Sequence, residues 1–481
     1  MRRLLTTLIT LSLVGCAHTR EVLYTQHVTF PEGATAEEKV ELAAHVVPSE
    51  KQLAWQELEL TAFIHFGINT FTDNEWGSGT EDPVMFNPTA LDCEQWVQTL
   101  QKGGFKMVIL TAKHHDGFCL WPTKTTEHSL VHSPWREGKG DVVRELSEAC
   151  RKHNMKFGFY LSPWDRNAAS YGDSPAYNKF FIAQLTELLT NYGIVDEVWL
   201  DGACGEGVNG KRQVYDWERI LSTINTLQPD AVTAIMGDDV RWVGNEGGRG
   251  RETEWSATPY TPLSHVNSVA ANRALGLEEM SADLGSRELV TRAECIYWYP
   301  SEVDVSIRPG WFYHEWQDDE VRTLENLIDI YFTSVGRNSV LLLNIPPDRR
   351  GLIHEIDAAR IEAFGKYIAE TFAESKIAER MRPWQAMAGD SREYEVKSGE
   401  RINTILLQED IRHGQRVERF TVEAYIDGAW LTIAEGTTIG YKRMLRFEEC
   451  VAERIRVTID ECRATVNISN IALFYAKDIE E

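Results

Sequence analysis

The chain contains 481 residues, of which 43% are hydrophobic and 25% charged, a composition typical of globular proteins and not of disordered ones. Because a single hydrophobic core stops growing at roughly 250–300 residues, this length predicts more than one domain. Acidic residues outnumber basic ones, 73 to 49, and the formal net charge is −24. A field of that sign repels polyphosphate backbones, so a nucleic-acid partner is not expected.

Residues 1–16 have the pattern of a bacterial export signal. Two arginines precede an apolar run over 4–15, which is too short to cross a bilayer of ~30 Å as a helix. The tetrapeptide Leu13-Val14-Gly15-Cys16 resembles a lipobox. We therefore expect a lipoprotein that is lipidated at Cys16 and attached to the membrane through this anchor only, at the outer membrane, in the periplasm or at the cell surface. An ordinary cleaved signal peptide is the alternative. Residues 17–45 would form a tether.

Between residues 46 and 370, short apolar runs of strand length alternate with amphipathic stretches. The runs cover 62–67, 107–113, 156–161, 198–202, 233–237 and 340–344. Apolar residues at helical spacing lie between them, for example Ile182, Leu185 and Leu189. This alternation is typical of parallel βα units, and about 300 residues of it predict a (β/α)₈-like TIM barrel. A doubly wound open sheet is the alternative, but no GxGxxG motif follows any predicted strand.

After about residue 375 the pattern changes to short alternating runs. They cover 401–407, 420–426, 430–433, 452–459 and 466–475. The pair Asp427-Gly428 separates two of them, as a hairpin turn would. The sequence therefore predicts a C-terminal β-sandwich over 375–481, after a catalytic barrel over 46–370.

Polar side chains stand at or just past the carboxyl ends of the predicted strands: His65, His114, His115, Tyr160 and Asp201. In a barrel these ends converge on one face, where active sites are built. Each histidine alone is more often a core or loop residue, and Asp201 alone is more often a helix cap. A metal site is a competing interpretation, but the adjacent pair His114-His115 points to opposite faces of an ideal strand, unlike the HxH spacing of metal-dependent hydrolases.

Six segments resemble the α-L-fucosidases of glycoside hydrolase family 29. They are His65-Phe66-Gly67, Lys113-His114-His115-Asp116-Gly117-Phe118, Phe159-Tyr160-Leu161-Ser162-Pro163-Trp164, Trp199-Leu200-Asp201-Gly202, Trp242-Val243-Gly244-Asn245-Glu246 and Ile307-Arg308-Pro309-Gly310-Trp311-Phe312. The fifth of them is similar to the subfamily selective for α-1,3/1,4-linked fucose on branched glycans. The resemblance covers most of residues 50–350 in the same order.

The resemblance implies an exo-acting, retaining α-L-fucosidase that acts on fucosylated oligosaccharides or glycoconjugates and needs no metal or other cofactor. It implies that Asp201 is the nucleophile and Glu246 the acid/base. The positions that would hold the fucose are His65, His114, His115, Tyr160, Trp164 and Trp311. The histidines would donate hydrogen bonds to ring hydroxyls, and Trp311 would pack against the C5 methyl group.

Retaining hydrolysis needs two carboxyl groups about 5–5.5 Å apart, one of them a nucleophile and the other an acid that later acts as a base. We expect a low pKa for the nucleophile and a raised pKa for the acid. Glu246 lies between Asn245 and two glycines, a context suited to a mobile loop. Three other glutamates remain alternatives for the acid: Glu252, Glu254 and Glu302.

Two other classes of function stay open at this point. A catalytically silent lipoprotein that binds fucosylated glycans would keep the histidines and tryptophans but would lack a working carboxylate pair. A metal-dependent barrel hydrolase would be inactivated by a chelator. The presence of both Asp201 and Glu246 favours the fucosidase over the silent binding protein.

Replacing the lipobox cysteine tests the anchor. Cys16→Ala should release the protein from the membrane fraction of a bacterial host, because the lipidated cysteine carries the attachment. Fractionation followed by immunoblotting measures this. A variant that stays in the membrane fraction would show that another segment attaches the protein.

Overall fold

The computed structural model describes residues 24–207, 209–379 and 381–479. The expected lipidation site, Cys16, and the rest of the export signal lie outside these residues. Within them, no helix combines the length and the apolar character that crossing a membrane requires.

Two sets of elements make up the fold. The strands are β1 (His27–Thr29), β2 (Leu60–Ile64), β3 (Met107–Lys113), β4 (Lys156–Leu161), β5 (Glu197–Leu200), β6 (Val232–Ile235), β7 (Arg241–Trp242), β8 (Ala257–Thr258), β9 (Cys295–Trp298), β10 (Ser301–Ser306), β11 (Val340–Asn344), β12 (Trp384–Ala386), β13 (Ser391–Glu395), β14 (Arg401–Glu409), β15 (Val417–Ile426), β16 (Ala429–Gly436), β17 (Arg443–Val451), β18 (Arg454–Cys462) and β19 (Val466–Phe474). The α-helices are α1 (Ala36–Ala43), α2 (Glu50–Gln56), α3 (Ile68–Thr72), α4 (Cys93–Lys102), α5 (Val142–Lys152), α6 (Ser174–Asn191), α7 (Trp217–Leu227), α8 (Ser268–Leu275), α9 (Arg287–Arg292), α10 (Leu324–Ser334) and α11 (Glu355–Thr371).

Eight strands form one parallel sheet in the order β6-β5-β4-β3-β2-β11-β10-β7. A parallel bridge between Ala234, on β6, and Val240, just before β7, joins the two ends of this sheet. There the Val240 N–H donates to the Thr233 carbonyl over 3.1 Å. The sheet therefore closes into a TIM-like barrel, which confirms the fold class predicted from the alternation of strands and helices.

The barrel strands are apolar because both of their faces are covered. Every residue of β2, β3, β5 and β11 is buried. Helix α5 shows how the outer layer forms: the Asp141 side chain caps its first turn by accepting from the Arg144 N–H, and Val143, Leu146 and Cys150 are buried on its inner face.

The segment expected as a tether is folded from residue 24 onward. Strand β1 pairs antiparallel with β9. Helix α1 begins with a capping box between Thr35 and Glu38, and its Val40 packs in one apolar cluster with Ile296 and Trp298. The prediction of a tether over 17–45 is therefore wrong for the part that the structure describes. Helix α1 is too short for its hydrophobic pattern to predict that it packs against residues more than 250 positions away in the chain.

The C-terminal unit is the expected β-sandwich. Its two antiparallel sheets have the orders β12-β19-β14-β17 and β13-β18-β15-β16 and enclose a separate apolar core. Asp427 and Gly428 have φ of 50° and 84° and link β15 to β16 in a two-residue hairpin, as the sequence predicts. Met444 and Phe474 pack into the barrel's own core cluster, so the sandwich is seated against the barrel.

Candidate active site

A cavity of about 420 Å³ opens at the carboxyl ends of the barrel strands. Its lining residues are Phe63, His65, Glu75, Trp76, His114, His115, Tyr160, Trp199, Asp201, Gly202, Ala203, Ile235, Met236, Trp242, Glu246, Leu263, Glu279, Asp304 and Trp311. Seven of the eight barrel residues expected in the site therefore surround one space, and Trp164 is the exception. The volume falls in the range of small-molecule sites.

Asp201 follows β5 directly and is held by several donors. The Tyr160 hydroxyl donates to Oδ2 over 2.9 Å, and the Ala203 N–H donates to Oδ1 over 2.8 Å. Burial raises the pKa of Asp201, while the hydrogen bonds from Ala203, Tyr160 and the Gly202 N–H lower it. The net shift is upward, which contradicts the low pKa expected for a nucleophile. The sequence does not show that the Asp201 carboxylate is buried among aromatic rings, and this burial is what raises its pKa.

The cavity histidines are neutral near pH 7. Burial lowers the pKa of both His65 and His115 to about 3, and it lowers the pKa of His114 well below its usual value. The three rings lie side by side, with centroids 5.6 Å apart for His65 and His114 and 4.2 Å apart for His114 and His115. Ionising any one of them would place its charge beside its neighbours in a desolvated pocket.

Hydrogen-bond partners behind the rings fix two tautomers. Asn344 donates from Nδ2 to the Trp311 carbonyl over 2.8 Å, so its Oδ1, 2.8 Å from His65 Nδ1, accepts the proton on that nitrogen. Ser162 donates to the Trp164 carbonyl and in the same way accepts from His115 Nδ1 over 2.7 Å. The Nε2 atoms of both histidines are therefore acceptors, whereas the family resemblance implies donors.

The tryptophans expected to hold sugar divide into two groups. Trp311 lines the cavity, with its ring 5.1 Å from that of His65. Trp164 does not line it. Its ring packs 5.1 Å from the His115 ring and 5.6 Å from the ring of Trp76, which is itself exposed at the cavity mouth. Trp164 therefore packs against two residues that line the cavity, His115 and Trp76, without lining it itself.

Glu246 lies on the loop after β7, and the closure of the barrel brings this loop round to the Asp201 side. Burial and the negative charges of Asp201 and Glu75 raise the pKa of Glu246, while a hydrogen bond with the Trp311 side chain lowers it. The upward shift is the one expected of an acid. Asp201 and Glu246 thus face the same cavity closely enough for one charge to shift the other group's pKa.

The three alternative glutamates do not reach the cavity. Glu252 makes ion pairs with Arg337 and Arg443, toward the sandwich. Glu254 is buried and makes ion pairs with two arginines of the barrel side, Arg241 and Arg251. Glu302 is buried inside the barrel, beneath the cavity floor. Among the four glutamates considered, Glu246 alone is among the residues that line the cavity.

Indole rings form the floor of the cavity, and buried acids hold them. Trp199 donates to Glu302 over 2.7 Å, and Trp242 donates to Asp304 over 2.7 Å. Glu302 lies close to Glu197, and besides burial a negative charge on Glu197 disfavours the ionisation of Glu302 and so raises its pKa. Burial raises the pKa of Glu197 to about 8 and that of Glu302 well above its usual value, so a neutral pair supports the floor.

The metal interpretation predicts a compact set of ligand atoms. Among the described residues, the only set of three His, Cys or carboxylate side chains whose ligand atoms lie within 4.8 Å of one another is Asp348, His354 and Glu355. None of these residues lines the cavity, and Arg350 makes ion pairs with both carboxylates. The cavity histidines do not form such a set.

Comparison with known proteins decides the family. The α-L-fucosidase family model matches residues 82–371. The chain belongs to the α-L-fucosidase family. It is 38% identical over 463 residues to α-L-fucosidase 1 of Arabidopsis thaliana, covering 90% of this chain and 88% of that protein. The protein is therefore a glycoside hydrolase that releases L-fucose, and the silent binding protein finds no support.

Solved structures agree with this assignment. A candidate α-L-fucosidase from Bacteroides ovatus is 61% identical, with a TM-score of 0.93, covering 95% of this chain and 79% of that one. A Ruminococcus gnavus fucosidase of glycoside hydrolase family 29, solved with fucose, is 31% identical, with a TM-score of 0.79, covering 90% and 95%. The two structures share the barrel and the sandwich arrangement with this fucosidase.

Sequence reasoning missed several residues that shape the fucosidase site. Asn344 ends β11, so the rule that singled out Asp201, a polar residue at the end of a buried strand, could have found it. Glu75 lines the cavity from a loop and accepts from the Trp311 and Phe312 N–H groups over 2.8 and 3.2 Å. No local pattern distinguishes Glu75 or Glu279 from other loop acids.

The neutral acid pair predicts a stability that declines with pH. Unfolded glutamates release their protons above pH 4.5, whereas the two folded acids keep theirs up to about pH 8, so stability is greatest below pH 4.5 and falls as the pH rises to about 8. Glu302→Gln is neutral at every pH and can accept from Trp199 while donating to Glu197. The variant should match the parent Tm near pH 5 and exceed it by about 2–4 °C near pH 8.

Calorimetric melting temperatures across this pH range measure the effect. Glu288→Gln, a change of an exposed glutamate on α9, is the matched control and should leave the pH profile unchanged. Parallel profiles for Glu302→Gln and the parent would contradict a protonated pair beneath the floor.

Proposed function

We propose that the protein is an exo-acting, retaining α-L-fucosidase that removes α-1,3/1,4-linked fucose from branched glycans through a fucosyl-enzyme intermediate. The observation that carries the proposal is the pair of unlike carboxyl groups in one cavity. Asp201 lies directly after β5 and is held by two donors, and Glu246, whose pKa is raised, faces it from a loop. Retaining glycosidases require such a division between a fixed nucleophile and an acid.

In the first step, an Asp201 oxygen attacks the anomeric carbon of the fucose while the glycosidic C–O bond breaks. Glu246 donates its proton to the departing oxygen, which leaves as an alcohol. The Tyr160 hydroxyl and the Ala203 N–H hold the Asp201 carboxylate in one orientation, so little rotational freedom is lost on the way to the transition state.

In the second step, Glu246 is a carboxylate and removes a proton from a water molecule, whose oxygen attacks the anomeric carbon. The bond to Asp201 breaks, and fucose leaves with the configuration it had in the glycan. The cycle restores the proton on Glu246 and the charge on Asp201. A raised pKa of Asp201 sets the acid limb of activity at a higher pH than an exposed aspartate would.

The histidines provide acceptors for the hydroxyl groups of the fucose. The Nε2 atom of His115 lies 3.7 Å from Asp201 Oδ2, and both atoms accept. A sugar hydroxyl beside them can donate to either one. Trp311 offers an apolar ring face for the C5 methyl group, and the tryptophan floor serves the apolar face of the pyranose.

Two further parts of the proposal rest on sequence resemblance. The linkage preference rests on the segment Trp242-Val243-Gly244-Asn245-Glu246, and a panel of defined fucosylated oligosaccharides tests it. Export as a lipoprotein rests on the lipobox at Cys16, and the fractionation experiment above tests it.

Removing the nucleophile should abolish turnover without unfolding the chain. Asp201→Gly should lower kcat by roughly 10³-fold or more, because the covalent intermediate cannot form. Azide should restore part of the rate and give the β-fucosyl azide, since a small anion attacks from the face that Asp201 occupied. Kinetics and product NMR measure both effects. Near-native turnover would remove Asp201 from this role.

Removing the acid/base should depend on the leaving group. Glu246→Ala should lose at least about 10²-fold more activity on a fucosylated trisaccharide than on a dinitrophenyl fucoside, because a good leaving group needs no proton. Azide should speed the activated substrate and give the α-fucosyl azide, the opposite anomer to that from Asp201→Gly. Glu254→Gln is the matched control, because Glu254 does not line the cavity. With this variant, azide should give no fucosyl azide. Equal losses of activity on both substrates, together with no response to azide, would show that a residue other than Glu246 is the acid/base.

A further inference from the structure

A loop at the cavity mouth, residues 276–285 between α8 and α9, presents Glu279 to the cavity. The loop is held by its own turn, in which the Ser281 N–H donates to the Glu278 carbonyl over 3.0 Å. Arg251 then fixes the turn from the outside. It donates from Nε to the Ser281 carbonyl over 2.7 Å and from Nη2 to the Glu279 carbonyl.

The arginine that holds this loop is itself tied to the barrel. Arg251 donates from Nη1 to Glu254 over 3.2 Å, and Glu254 also pairs with Arg241 on β7. Glu254 and Arg241 are buried. The backbone of Glu279 therefore has a defined position relative to the strand that leads into the Glu246 loop.

The loop of Glu279 and the loop of Glu246 are packed against each other. Gly244 has φ of +102°, and a Cβ atom built on it would lie 2.8 Å from the Glu279 carbonyl oxygen and 2.9 Å from Met280 Sδ. Only glycine fits this close approach. Glu246 follows two residues later, so Glu279 stands at the same side of the mouth as the proposed acid.

The Glu279 side chain has no partner among the described residues, unlike three other acids of the cavity. Within residues 24–207, 209–379 and 381–479, its carboxylate accepts no hydrogen bond and makes no ion pair, whereas Glu75, Asp201 and Asp304 each accept from donors of the chain. The side chain is nevertheless only partly exposed. A partly desolvated carboxylate with free acceptor sites, carried on a backbone that is held in place, binds hydroxyl groups strongly.

The direction in which the leaving group departs connects these observations. An acid must lie beside the oxygen that it protonates, so the sugar that carries the fucose lies on the Glu246 side of the cavity. We propose that Glu279 accepts hydrogen bonds from hydroxyl groups of that sugar, and so makes the enzyme select glycans over simple fucosides. This rests on the proposed function, since it assumes that Glu246 is the acid.

A comparison of two substrates tests the proposal. Glu279→Ala should lower kcat/KM for a fucosylated trisaccharide by about 10- to 100-fold, as expected when a charge-assisted hydrogen bond to a hydroxyl is lost. For p-nitrophenyl α-L-fucoside, which has no sugar in that position, kcat/KM should stay within about twofold. Glu279→Gln, which keeps the shape and one acceptor, should fall between the parent and the alanine variant on the trisaccharide.

The neighbouring Glu278 provides the matched control. Its side chain is exposed and does not line the cavity, so Glu278→Ala should leave both substrates unchanged. Inhibition by free L-fucose should be equal in the parent, Glu278→Ala and Glu279→Ala, which shows that the fucose end of the cavity is intact.

Three results would overturn the proposal, and they differ from one another. Equal losses on both substrates would give Glu279 a structural or fucose-binding role. No loss on either substrate would show that residues other than Glu279 bind the leaving-group sugar. A parent protein that cleaves neither substrate would overturn the proposed function, and this proposal with it.

Discussion

Closure of the parallel sheet is the constraint on which the site depends. The strand order places β5, which leads to Asp201, near one end of the sheet and β7, which leads to Glu246, at the other. The bridge from Ala234 to Val240 joins these ends and puts the two carboxyl groups on either side of one cavity. In an open sheet of the same strands, the proposed nucleophile and the proposed acid would lie at opposite edges, too far apart for the proposed retaining mechanism.

The barrel interior supports this site with acids that are kept neutral. Glu197, Glu302 and Asp304 accept the indole N–H groups of Trp55, Trp199 and Trp242, and burial raises the pKa of each of the three acids. A charge at this depth would cost much more than a neutral carboxylic acid. The acids therefore orient the tryptophan floor without adding negative charge below Asp201.

The sandwich contributes to the same arrangement from outside. The Gln415 side chain donates to the Glu254 carbonyl over 2.8 Å, and the Arg443 side chain donates to the Glu252 carbonyl over 2.8 Å. These contacts hold the segment that follows the Glu246 loop, so the second domain buttresses the barrel at the point where the loop returns to it. The β-sandwich therefore has its own core and also supports the loops beneath the cavity.

The sequence alone determined the barrel, the sandwich and most of the cavity. Alternating apolar strands and amphipathic helices are local patterns, and polar residues at strand ends identified Asp201, Tyr160 and the three histidines because parallel strands carry their carboxyl ends to one face. Tertiary structure decided the rest. It placed Glu246 in the cavity and Glu254 and Glu302 out of it, folded residues 24–45 against a distant strand, and raised the pKa of Asp201 through burial. Burial and pairing of this kind join residues far apart in the chain, and no local spacing records them.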